Sequence, residues 1–108
     1  MLQKQGSTTG TVADTFASVL SITDFQHYEK IVIHIKNTNG SALTLDYKVL
    51  AYAVNGGDLY EEIPESTILA AAATDTIKIA NTAYAKLDIQ MQKNTTASTY
   101  AIEYCMKG

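Results

Sequence analysis

Apolar and polar residues alternate with period two in four separate stretches of this chain. In residues 29–36, Ile31, Ile33 and Ile35 alternate with Val32, His34 and Lys36, which gives an extended strand one wholly β-branched face. In residues 42–54, Leu43, Leu45, Tyr47 and Val49 point one way while Thr44, Asp46 and Lys48 point the other. Residues 83–92 set Ala85, Leu87, Ile89 and Met91 inward and Lys86, Asp88, Gln90 and Gln92 outward. Residues 99–106 carry Tyr100, Ile102, Tyr104 and Met106 on one face and Ala101, Glu103 and Cys105 on the other. Shorter runs at 59–63 and 76–80, and a mixed one at 11–20, complete the strand signals.

Turn formers punctuate these runs. Asn37-Thr38-Asn39-Gly40 contains an Asn-Gly pair, which accepts positive φ at both central positions and predicts a tight hairpin into the 42–54 strand. Asn55-Gly56-Gly57-Asp58 breaks that strand, Pro64 ends a short return, and residues 93–98 form a polar turn. Residues 24–28 read as a loop or a single helical turn. Only residues 65–73 have helical composition, and a short helix and a loop fit them equally well. The first ten residues, MLQKQGSTTG, are polar and end in small turn formers, so residues 1–10 are expected as a flexible N-terminal arm.

The fold expected is all-β: an antiparallel β-sandwich of about six to eight strands over residues 11–108, with one short helix near 65–73 as an option and a small β-barrel as the alternative. One feature departs from plain alternation. After Lys48 the polar face of the 42–54 strand turns apolar at Leu50, Tyr52 and Val54. Either residues 11–22 or 68–73 cover these three, or they form a protein interface.

Composition narrows the function classes. The 108 residues hold one domain's worth of chain, 46% hydrophobic, with a net charge of −3. The eight basic residues are all lysines, scattered from Lys4 to Lys107, whereas phosphate binding calls for clustered cations and favours arginine. No nucleic-acid partner is expected. The unbroken apolar run 68–73 is far too short to cross a bilayer, and the N-terminus has no signal-peptide pattern. Synthesis and retention in a reducing cytoplasm are expected, with Asn39-Gly40-Ser41 and Asn94-Thr95-Thr96 read as turns rather than glycosylation sites.

Candidate chemistry is sparse. His34 lies on the polar face of its strand. His27 sits in Asp24-Phe25-Gln26-His27-Tyr28-Glu29, which offers neither a cysteine nor a second histidine toward a zinc site. Asp58, Glu61, Glu62 and Glu65 do not follow the calcium-loop spacing. Neither a Gly-x-Ser-x-Gly elbow nor a phosphate loop is present. Cys105 has no neighbouring cation to activate it and is expected as a buried structural thiol. The expectation is a non-enzyme with no catalytic residues, no metal and no cofactor. Tyrosine, seven times present, could stack on sugars, but Tyr47, Tyr100 and Tyr104 fall on apolar strand faces where core packing explains them.

The run Ser21-Ile22-Thr23-Asp24-Phe25-Gln26-His27-Tyr28-Glu29-Lys30-Ile31, followed by Ile35-Lys36-Asn37-Thr38-Asn39-Gly40-Ser41-Ala42-Leu43, resembles small β-sandwich virion proteins of tailed bacteriophages. In these, a polar arm and a Phe-x-x-Tyr loop precede a strand ending in an Ile-Lys-Asn-Thr-like sequence. The likeness spans residues 10–55 and transfers no functional residue. It implies a capsid decoration or auxiliary subunit, made in the host cytoplasm and bound to a virion protein lattice in many copies, with a homo-oligomer expected. The alternative is a carbohydrate-binding or host-attachment module of a tail or fibre.

Overall fold

Nine strands form in the computed structural model, which describes residues 3–23, 28–40, 42–63, 67–80, 84–94 and 98–108. They are β1 (Gln3–Thr11), β2 (Ala17–Ile22), β3 (Lys30–Asn37), β4 (Leu45–Tyr52), β5 (Tyr60–Glu62), β6 (Thr67–Leu69), β7 (Thr74–Ala80), β8 (Lys86–Lys93) and β9 (Thr99–Lys107). Two antiparallel sheets result. Sheet A has the order β1-β9-β3-β7; sheet B has the order β2-β8-β4-β5, with β6 pairing a second stretch of β4. The molecule is an antiparallel β-sandwich, as the alternation predicts. Ile31, Ile33, Ile35, Ile102 and Met106 from sheet A meet Leu45, Val49, Leu87, Ile89 and Met91 from sheet B in a fully buried core.

Successive strands mostly switch sheets. Among the described strands only β4 and β5 pair as a consecutive hairpin, with Tyr52 opposite Tyr60. The hairpin expected at Asn39-Gly40 is therefore corrected: β3 pairs β7 and β9, and the chain passes from β3 in sheet A to β4 in sheet B. Asn37 organises this crossing. Its side chain is fully buried and donates through Nδ2 to the carbonyls of Leu43 (2.8 Å) and Leu69 (3.2 Å). Its Oδ1 accepts from the backbone N–H and the side-chain amide of Asn39. One buried amide thus ties Asn39 and Leu43, between β3 and β4, to Leu69 on β6 and satisfies a polar group at each.

Three other expectations change. Within the 1–10 segment expected as an arm, residues 3–10 together with Thr11 form β1, paired along its whole length with β9 from Gln3↔Lys107 to Thr11↔Thr99. Residues 67–69 of the helical-looking stretch are β6, and residues 70–73 make a turn in which Ala73 N donates to Ala70 O and Ala72 has φ 60°. Among the described residues none is helical. Pairing of β6 on β4, with Leu69 buried and Ile68 outward, outweighs the helix propensity of the alanines. The mixed 11–20 run splits between β1 and β2, and β2 carries a bulge between Ser18 and Leu20.

That bulge explains a buried acid. Residues three apart in a regular strand face opposite ways, but the extra residue turns Ser18 and Ser21 to the same face. Both hydroxyls donate to Asp88 Oδ1, at 2.5 and 3.1 Å, and Gln90 Nε2 donates to Oδ2 at 2.9 Å. Asp88 does face outward, yet it is buried among these donors.

The sheets are also tied through the core. Tyr47 on β4 donates its hydroxyl to Asp75 Oδ2 on β7 at 2.7 Å. Burial, then the bond to Asp75 and its charge, push the phenol well above its ordinary value of 10.0. A folded-state pKa raised above the unfolded one means the stabilisation is complete below pH 10 and lost as the pH climbs past it. Unfolding free energy should then fall by up to about 1.4 kcal/mol per pH unit above 10. Tyr47→Phe should cost about 1 kcal/mol at neutral pH and make that alkaline decline shallower. Urea unfolding of both proteins from about pH 8 to about pH 11 reads this directly; equal slopes would refute it.

Candidate interaction surface

The free edge of sheet B and the hairpin that ends it carry the large exposed apolar side chains among the described residues. Val54, Leu59 and Tyr60 are 64%, 86% and 52% exposed, and all three belong to the β4–β5 hairpin. The fourth large exposed apolar residue among those described, Ile68 on β6, continues the same edge of β4. Gly56, at φ 89°, and the Gly57 N–H bonded to Val54 O make the hairpin turn that presents them. Positive φ is costly for any side-chain-bearing residue, so Asn55-Gly56-Gly57-Asp58 suits this bend.

The hairpin base is built from named contacts. The Tyr52 and Tyr60 rings lie 5.5 Å apart, inclined at 54°, and the Lys86 ammonium sits 5.1 Å above the Tyr52 ring. Lys48 lies 4.3 Å over the Phe16 ring and pairs with Glu62 at 3.6 Å. The Tyr84 hydroxyl reaches Glu61 at 3.5 Å. Burial first, then Asp88, holds the Tyr52 phenol above its ordinary pKa, and burial followed by Glu61 does the same for Tyr84.

The three residues singled out in the sequence separate here. Leu50 is buried, with Asp88 and Glu62 as its register partners and Lys48 and Tyr52 beside it on the strand. Tyr52 is half-buried against Tyr60, and Val54 stands in solvent beyond the end of β4. The hairpin thus leaves Tyr52 half-exposed and Val54 exposed, and withdraws Leu50. Sequence reasoning missed Leu59 and Tyr60; their signal was two large apolar residues directly after a Gly-Gly-Asp turn.

The groups considered for chemistry do not converge. His34 is exposed on β3, its Nδ1 2.9 Å from Thr76 Oγ1, and His27 lies outside the described residues. Glu61 and Glu62 engage Tyr84 and Lys48, and Glu65 lies outside the described residues. Among those described, no three His, Cys, Asp or Glu side chains gather as a metal site requires. Cys105 is half-buried rather than buried. It lies with Val32, His34 and Glu103 along an open groove of about 400 Å³ on the outer face of sheet A.

No protein-family model and no curated protein matches the sequence. Solved structures match over nearly the whole chain. The SPBc2 prophage-derived protein YomS superposes with TM-score 0.64 at 11% identity, covering 98% of this chain and 95% of that one. The Yersinia pseudotuberculosis-derived mitogen gives 0.62 at 13% identity, with 99% and 88% covered. The Bacillus endospore appendages, described as disulfide-linked pili, give 0.61 at 11% identity, with 98% and 87% covered. At identities this low the likeness establishes the fold alone: the chain shares its β-sandwich with a prophage-derived protein, a bacterial mitogen and a pilus subunit.

Proposed function

We propose that this chain is a non-enzymatic structural protein of a virion, a capsid decoration or auxiliary subunit that docks on a repeating protein shell in many copies through its β4–β5 hairpin. The observation that carries the reading is that Val54, Leu59 and Tyr60, three large apolar side chains, all stand exposed on one hairpin. Each such side chain gains roughly 1.5–3 kcal/mol when fully buried, and patches of this kind mark interaction sites. The likeness in fold to a prophage-derived protein and a pilus subunit supports a structural role. Repetition over a lattice supplies avidity, so each contact can be small.

Co-sedimentation with empty capsid shells tests this. The wild-type chain should pellet with shells saturably, and the double variant Leu59→Asp, Tyr60→Asp should bind at least roughly tenfold more weakly with an unchanged circular dichroism spectrum. Undiminished binding by the variant would move the contact off the hairpin. Saturable binding to a glycan array with no affinity for shells would instead favour host attachment through the exposed tyrosines.

A further inference from the structure

The four sheet edges are not alike. In sheet B, β2 is bulged between Ser18 and Leu20, and the opposite edge is split between β5 and β6, three residues each. Bulges and very short strands are devices that keep an edge from recruiting another strand. In sheet A, β1 runs nine residues and β7 seven, both in unbroken register with their neighbours. Among the described residues β1 carries a single charge, Lys4, and has no proline.

Backbone hydrogen bonds fix which groups these edges offer. Val12 N donates to Ser98 O at 2.8 Å, so Lys4, Gly6, Thr8 and Gly10 exchange bonds with β9. Gln5, Ser7 and Thr9 turn their N–H and C=O outward. Asn37 N donates to Ala73 O at 3.1 Å, so Asp75, Ile77 and Ile79 bond back to β3, and Thr74, Thr76 and Lys78 turn outward. The side chains of these six outward residues all lie on the outer face. Gln5, Ser7, Thr9, Thr74, Thr76 and Lys78 are all exposed.

The two edges also fit each other. Sheet A holds four strands, each antiparallel to the next, so β7 runs opposite to β1. Sliding one copy along the sheet by its own width sets its β7 antiparallel to the β1 of the next. Register across the sheet is level: Ser7, Glu103, His34 and Thr76 align. The slide therefore sets Ser7 opposite Thr76, Thr9 opposite Thr74 and Gln5 opposite Lys78, with outward groups facing outward groups. No like charges oppose, since Lys4 meets Ile79 and Asp75 meets Thr8. Ser/Thr pairs in such positions are favourable cross-strand partners.

We propose that a second copy of this chain adds its β7 to β1, joining the copies head to tail through a continuous sheet A. Both open edges are used at once, which a two-fold β1–β1 pairing would not achieve. The contact is heterologous. Strand twist of roughly 20–25° per step accumulates to about 80–100° per copy along the direction of propagation, so the product is a twisted open filament. The inference stands on backbone geometry and holds whether or not the chain docks on a shell.

Sedimentation velocity of the full chain over a concentration range should show mass rising well beyond a dimer. Thr9→Pro and Thr74→Pro each delete an outward N–H that the fold itself does not use. Each should weaken association roughly tenfold or more while leaving the circular dichroism spectrum unchanged. Ser7→Cys and Thr76→Cys, made separately in a Cys105→Ser background, should form mixed disulfide dimers on oxidation only when combined, because paired strands hold opposed Cα atoms at about 5.5 Å, within disulfide reach. Efficient dimers from Ser7→Cys alone would replace the proposal with two-fold pairing. A wild-type chain that stays monomeric to about millimolar concentration, with no mixed cross-link, would overturn it.

Discussion

Replacing Asn37 with alanine should cost the fold about 3 kcal/mol, lowering the unfolding temperature by roughly 12–24 °C for a domain of this size. The side chain is fully buried, and its amide holds the Leu43 and Leu69 carbonyls while its oxygen holds Asn39. Alanine removes the partner of two carbonyls and of two Asn39 donors, the backbone N–H and the side-chain amide, and each group left buried without a partner costs about 1–3 kcal/mol. Asn37→Asp separates the donors from the acceptor. It keeps an oxygen for Asn39 but sets a carboxylate against two carbonyl oxygens, so at neutral pH it should be at least as damaging as alanine. On acidification the protonated carboxyl can again donate, and part of the loss should return. Urea midpoints at unchanged m-value measure all three proteins. A loss below about 1 kcal/mol for Asn37→Ala would mean that the crossing is held by something else.

That residue marks the boundary of what the sequence disclosed. Alternation identified the inward faces of β3, β4, β8 and β9, because burial of one face imposes period two on the chain itself. Pairing imposes no such local mark. Asn39-Gly40 has hairpin chemistry, yet β3 finds its partners in β7 and β9, far along the chain, and the turn formers there serve a sheet crossing. Leu50 looked available because strand parity alone cannot report what stands beside it; its register partners Asp88 and Glu62 come from β8 and β5. Asp88 was assigned to the correct face, but its burial depends on a bulge one strand away that no pattern in β8 announces. For the candidate surface, Tyr52 and Val54 were legible as apolar groups out of place. Leu59 and Tyr60 were not, because a three-residue strand offers too little alternation to assign a face.

The hardest segment to read was β1, and its glycines supply the second large expected effect. Residues 3–11 contain no large apolar side chain, so nothing in the segment itself signals burial. Its anchor lies in β9. Tyr104 and Tyr100 are the cross-strand partners of Gly6 and Gly10, and both rings lean over those glycines. A Cβ built on Gly6 would come 2.5 Å from the Tyr104 ring, and one on Gly10 would come 2.8 Å from the Tyr100 hydroxyl. The absence of side chains on β1 is what lets two tyrosines cover it, a cross-strand arrangement that shields strand glycines from water. Gly10 has less latitude than Gly6, because Tyr100 is buried whereas Tyr104 is only half-buried. Valine raises intrinsic strand propensity at both positions, so propensity predicts a gain from Gly6→Val and Gly10→Val. Packing predicts the reverse, by about 1–3 kcal/mol at each site, as expected when extra methyl groups are forced into occupied space. Packing should win at Gly10 by the wider margin, and the double variant should release β1 from β9. Amide hydrogen exchange at even-numbered residues 4–10 should then accelerate, while Ile33, Ile35 and Ile89 in the core stay protected. Self-association through β1 should disappear with it. If the valines stabilise the protein instead, the tyrosine rings swing aside freely and the cover they give β1 is incidental.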